Sequence, residues 1–89
     1  METREIPEDL ANRFGFPPLA FHAEVARQGN FTAAFLYDTE NYELVSFGIA
    51  KRSVNDEERP ECGERLAIAR ALRQLRVQYR LGGIKVSGR

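Results

Sequence analysis

Hydrophobic and polar positions change their period twice along this chain. In IPEDLANRFG, residues 6–15, Leu10 and Phe14 stand four apart, Pro7 suits a first helical turn, Glu8 and Asp9 suit the positive end of a helix, and Gly15 can terminate it. The spacing predicts a short helix, closed off by the break at Pro17-Pro18. From Leu19 to Arg52 the period becomes two. Phe21, Ala23 and Val25 alternate with His22, Glu24 and Ala26. After a turn at Gln28-Gly29-Asn30, Phe31, Ala33, Phe35 and Tyr37 alternate with Thr32, Ala34, Leu36 and Asp38. After a second turn over 39–43, Val45, Phe47 and Ile49 alternate with Leu44, Ser46, Gly48 and Ala50. Such runs joined by short turns predict a three-stranded antiparallel meander. The aromatic and branched series is expected to face the core, and the small, half-polar series to face outward.

The period lengthens after Pro60. SVNDEERP, residues 53–60, reads as an acidic loop that ends on a proline well placed to open a helix. Ile68, Leu72, Leu75 and Tyr79 then recur at helical spacing with Ala71 beside them, so a helix over 60–81 is expected to cover the aromatic sheet face. Gly82-Gly83 is a strong stop signal, leaving 82–89 as a tail. The expected fold class is therefore α+β in one domain spanning 1–89. A short N-terminal helix lies within 1–18, the meander over 19–52, and the long C-terminal helix packs on one sheet face.

Composition narrows the chemistry. The chain has 89 residues, one domain's worth, and its 43% hydrophobic content with six Phe and three Tyr is enough for one modest core. One Cys and one His exclude a disulfide framework and any metal site needing four such ligands, and no cofactor is expected. No apolar run approaches the ~20 residues that span a bilayer, and METREIPEDL is too acidic for a signal peptide. A soluble cytoplasmic protein is expected, with no membrane partner.

The zero net charge hides an asymmetry. Residues 1–64 carry seven more acids than bases, whereas 65–89 carry seven bases and no acid. RLAIARALRQLRVQYR, residues 65–80, holds Arg65, Arg70, Arg73, Arg76 and Arg80. On a helical wheel Arg65, Arg73, Arg76 and Arg80 fall opposite the Ile68/Leu72/Leu75 stripe, with Arg70 at the flank. Such a row suits phosphates, an acidic protein partner, or simply the negative end of a helix dipole. Catalysis has thinner support. His22 has Glu24 near it on the small-residue face but no nucleophile, Cys62 sits between Glu61 and Glu64, and no glycine-rich loop opens a helix. Asp38, Glu40 and Glu43 gather at a hairpin turn, where acids are common. The chain is not expected to be an enzyme.

Leu44–Leu75 carries a pattern of Leu44-Val45, Gly48, Ala50, Asp56, Pro60-Glu61, Gly63, Leu66-Ala67 and Ala69-Arg70-Ala71-Leu72. This pattern resembles a family of small bacterial and phage proteins, best represented in actinobacteria, whose domain of unknown function has a fold like that of a double-stranded-RNA-binding domain (dsRBD). The chain departs from that family at Ser53-Val54-Asn55, where a proline is usual, and in its arginine-rich end. The resemblance implies a fold and a bacterial host cell, and not a function. RNA binding in a dsRBD relies on lysines that open the second helix, where this chain has NDEERPECGE. The turn Gln28-Gly29-Asn30 lacks the usual Pro-His contact sequence.

The expected role is a non-catalytic binding or assembly module acting through protein–protein contacts. Its partner is a protein or a second copy, with a homodimer expected through the small-residue sheet face of His22, Ala34, Leu36, Leu44, Gly48 and Ala50 or through an unprotected sheet edge. In a phage setting, the size and charge polarity suit an inhibitor lodged in a charged groove of a host defence complex. Nucleic-acid binding through Arg65, Arg70, Arg73, Arg76 and Arg80 is the second reading.

Overall fold

The computed structural model describes residues 1–51 and 60–86, with side-chain surroundings over 1–51 and 62–78. Its elements are β1 (Glu2–Glu5), α1 (Glu8–Phe14), β2 (Phe21–Gln28), β3 (Phe31–Asp38), β4 (Leu44–Lys51) and α2 (Pro60–Val86). The strands make one antiparallel sheet in the order β1-β2-β3-β4. The α+β class, the short helix, the meander and the long helix follow the periodicities above. Most of the acidic loop (53–59) and the end of the tail (87–89) lie outside the described residues, as does the Tyr79 side chain.

The fourth strand, β1, is the first departure. Glu2-Thr3-Arg4-Glu5 has no apolar alternation to mark it, and pairing rather than propensity makes it a strand: Glu2 lies opposite Val25 and Glu5 opposite His22. Arg4 fastens it. Its Nε donates to Glu64 Oε1 at 3.0 Å, and Arg27 donates to the other oxygen of the same carboxylate. The Glu64 side chain is only 13% exposed, so a single α2 carboxylate ties β1 and β2 to the helix. The second departure is the end of α2, which continues through Gly82-Gly83 to Val86. Each glycine costs a helix about 1 kcal/mol relative to alanine but keeps its N–H and C=O, so the pair weakens a helix without ending it.

The third departure decides where function can reside. The core takes Phe21, Ala23 and Val25 from β2, as expected. From β3 and β4, however, it takes Thr32, Ala34, Leu36, Ser46, Gly48 and Ala50, all buried beneath Ala67, Ile68, Ala71, Leu72 and Leu75 of α2. Phe31, Phe47 and Ile49, expected inside, are about half exposed. One cause is register. Gln28 pairs directly with Phe31, so the hairpin turn is the two residues Gly29-Asn30, with Gly29 at φ +61°. A turn of three would put the odd residues of β2 and β3 on one face. The two-residue turn instead sets Phe21, Ala23 and Val25 beside Asp38, Leu36 and Ala34.

The other cause is the distance between helix and sheet. A Cβ on Gly48 would lie 2.4 Å from the Ala67 carbonyl oxygen and 2.5 Å from the Ala71 nitrogen. Where backbone approaches backbone this closely, only small side chains fit between the layers. Ser46 exploits the approach, its Oγ donating to the Ala71 carbonyl at 2.8 Å. A bulge between Leu36 and Tyr37 then pairs Tyr37 with Leu44, leaving Val45 as the extra residue, packed against the core.

At the other side of the core, α1 buries Leu10 and Ala11 and ends on Gly15 in the left-handed conformation. Phe16 N–H bonds back to Ala11 O at 2.9 Å and Gly15 N–H to Asn12 O at 3.1 Å, which satisfies carbonyls at the helix end. Phe16 and Phe21 meet edge to face with ring centroids 5.5 Å apart.

Candidate functional site

The sheet face away from α2 carries side chains in rows that cross the strands. From β4 to β2 these rows read Leu44–Tyr37–His22, Phe47–Phe35–Glu24, Ile49–Ala33–Ala26 and Lys51–Phe31–Gln28. Its β3–β4 half is apolar, its β2 half polar. Phe35 and Phe47 pack with centroids 6.3 Å apart, and the Lys51 ammonium stands 5.8 Å from the Phe31 ring centre. His22 lies between two tyrosines, stacked on Tyr37 at 5.6 Å and edge-on to Tyr42 at 5.3 Å. Tyr42 is held there by its turn: its N–H bonds to Asp38 O at 2.8 Å, while the Asp38 carboxylate accepts from the amides of Glu40 and Asn41. It is the one non-glycine residue with positive φ among the described residues, at +58°, a conformation that costs an aromatic residue free energy.

Nothing among the described residues covers this face. Phe31, Leu44, Phe47 and Ile49 are 47–53% exposed and Tyr42 is 72% exposed. With about 150–250 Å² on a large aromatic side chain, the five together present on the order of 500 Å² of largely apolar surface. That lies near the top of the range for the largest patch on a typical monomer, about 300–600 Å², and such patches are often functional.

The residues expected to bind divide differently from the sequence reading. Ala34, Leu36, Gly48 and Ala50 are core, buried under α2, so the small-residue face is the covered one. His22 and Leu44 lie on the open aromatic face. The arginines of α2 do not form one continuous row. Arg65 pairs with Asp9 of α1, and Arg76 Nη1 donates to the Phe14 carbonyl at 3.0 Å, both on the α1 side. Arg70 turns the other way, its Nη1 donating to the Ile49 carbonyl of the β4 edge at 2.8 Å. Arg73 is exposed and has no bonded partner among the described residues, and the Arg80 side chain lies outside them. Cys62 is exposed in the first turn of α2, on the covered side of the sheet, while His22 is on the open side. No group of three or more His, Cys, Asp or Glu among the described residues could hold a metal ion, and no described helix is long and apolar enough to cross a membrane.

The Asp9–Arg65 contact makes a testable electrostatic statement. Hydrogen bonds from the Arg65 guanidinium, opposed by some desolvation and aided by its charge, hold the Asp9 carboxyl below the ordinary aspartate range. A depressed folded-state value means stability that is present above the unfolded aspartate value near 3.9 and is lost as pH falls through the folded one. Asp9→Asn is expected to lower stability slightly at neutral pH, where the pair is intact but exposed and screened by salt, and to converge with the wild type as pH falls below about 4. Urea midpoints of both proteins between pH 2 and 7 check this, and curves that stay parallel throughout would contradict it.

The family comparison bears on the same two faces. A family model described as Rv2632c-like matches residues 23–79, more than half of the chain. The chain belongs to the Rv2632c-like family. The Rv2632c-like match takes in β2 from Ala23, then β3, β4 and most of α2, so it contains the covered and open faces together and leaves out β1 and α1. It includes all of Leu44–Leu75, the stretch whose pattern points to a small-domain family. No curated protein and no solved structure matches the chain.

Proposed function

We propose that this Rv2632c-like protein is a non-catalytic assembly module that associates with a second copy of itself through the open sheet face. The reading rests on Phe31, Leu44, Phe47 and Ile49 standing half exposed on one face while Leu36, Thr32, alanines, a serine and a glycine fill the other. Fully burying a large apolar side chain is worth about 1.5–3 kcal/mol, and the monomer forgoes much of that at each of these positions. A partner face of the same kind recovers it. The apolar surface amounts to over half of the roughly 800 Å² per partner of a standard interface, and the polar β2 half supplies a rim.

The sheet edges suit association less well. β1 is four residues long with three charged side chains, and at β4 the Arg70 guanidinium occupies the Ile49 carbonyl, a group that an added strand would need. From α1 onward the order of elements is that of a dsRBD with β1 added at the edge, which supports the dsRBD-like reading of the fold. Nucleic-acid binding through α2 draws less support, because Arg65, Arg70 and Arg76 are directed to different parts of the domain.

Light scattering tests the proposal. Wild-type protein is expected to show the mass of a dimer, and Phe47→Glu that of a monomer with unchanged far-ultraviolet circular dichroism. A wild type that stays monomeric at every concentration rules out self-association.

A further inference from the structure

Resting on that reading, we propose that the two copies pack face to face with their strands antiparallel, about a two-fold axis that crosses the strands between the Phe35 row and the Ala33 row. The open face is ridged. Phe47–Phe35 forms a raised row, and the adjacent Ile49–Ala33–Ala26 row forms a furrow that is shallow at Ile49 and deep at the two alanines. Rotation about an axis lying between these rows lays each ridge into the other copy's furrow. Phe35 then meets the second copy's Ala33, and Phe47 meets its Ile49. The outer rows also exchange, with Tyr37 over the second copy's Phe31 and Leu44 beside its Lys51 stem. Every contact occurs twice, as a two-fold interface requires.

The other simple arrangement, with the axis along the strands between β3 and β4, fits worse. It stacks Phe35 on the second copy's Phe47 in one row and leaves Ala33 against Ile49 in the next. Inner faces about 10 Å apart cannot fill a thick row and a thin row side by side without a gap. About the preferred axis Phe35 rests on alanine and Phe47 on isoleucine, so the layer varies in thickness less than when two phenylalanines stack beside an alanine–isoleucine pair. The preferred axis also keeps β2 over β2, so Glu24 lies beside the second copy's Ala26 at the wet margin, whereas the other axis carries β2 past the β4 edge and leaves it out of the interface.

Disulfide trapping distinguishes the arrangements. Glu24→Cys and Ala26→Cys are prepared separately in a Cys62→Ser background, mixed and oxidised. The expected result is a mixed disulfide that dominates over both self-linked species. His22→Cys mixed with Gln28→Cys probes a second predicted juxtaposition, should either first variant fail to fold. Self-linked dimers that match or exceed the mixed one in both mixtures, or no cross-link in either, in a preparation that light scattering shows to be dimeric, overturn the arrangement and leave self-association standing. A monomeric wild type overturns both.

Discussion

Gly48→Ala is expected to destabilise the domain by about 2–3 kcal/mol and to lower its melting temperature by roughly 10–20 °C. The added methyl group would meet the Ala67 carbonyl oxygen and the Ala71 nitrogen well inside contact distance. Both are helix backbone, so α2 must rise off the sheet, and the Ser46–Ala71 bond and the packing of Ile68, Leu72 and Leu75 move with it. Gly63→Ala is the control. Its Cβ would stand 3.1 Å from Thr32 Oγ1, a side-chain atom that can shift. Alanine also gains about 1 kcal/mol over glycine within a helix, so the expected net change is near zero. Thermal melts of the two variants separate a general intolerance of substitution from a specific contact. If Gly48→Ala melts with the wild type, helix and sheet are not held as closely as the inversion of the faces requires.

The legible and illegible parts of this chain have distinct physical reasons. Leu10 and Phe14, or Ile68, Leu72 and Leu75, repeat at helical spacing over enough residues that helical period and burial agree. The strands were equally legible as strands, because alternation survives whichever face is covered. Which face that is depends on quantities that alternation does not encode. A turn of Gly29-Asn30 rather than Gln28-Gly29-Asn30 shifts β2 against β3 by one residue, and the faces of β3, and of β4 from Ser46 onward, change with it. The assumption that the larger side chains must be inside then points the wrong way for β3 and β4.

Two signals do carry the correct answer. Gly-Asn between two alternating runs is a recognised two-residue hairpin signature. Gly48 in a strand, with Ala67 and Ala71 on one side of the covering helix, marks a close helix–sheet approach. β1 left no comparable trace, since Arg4 is held by Glu64, a partner 60 positions away. The charge split was visible, but its meaning was not. Arg65 and Arg76 serve α1, and Arg70 serves β4, so much of what reads as a basic surface is fastening between elements.

Neighbouring residues of β3 give the sharpest test of which face is which. Leu36 is fully buried on the covered face, and Phe35, the next residue, points to the open one. In a Phe47→Glu background, chosen so that the proposed association does not contribute to stability, Leu36→Ala is expected to cost about 2–5 kcal/mol. Phe35→Ala is expected to cost far less, because the removed ring has water on its outer side rather than a packed core. In the otherwise wild-type chain the order of effects on the proposed assembly is expected to reverse: Phe35→Ala should weaken it, while a Leu36→Ala protein that still folds should keep it. Urea denaturation read by circular dichroism gives the first comparison, and light scattering across a dilution series gives the second. A Phe35→Ala cost equal to that of Leu36→Ala in the monomeric background would mean that the aromatic face is internal. The small face would then return as the exposed one, and the case for association through Phe35 and Phe47 would fall with it.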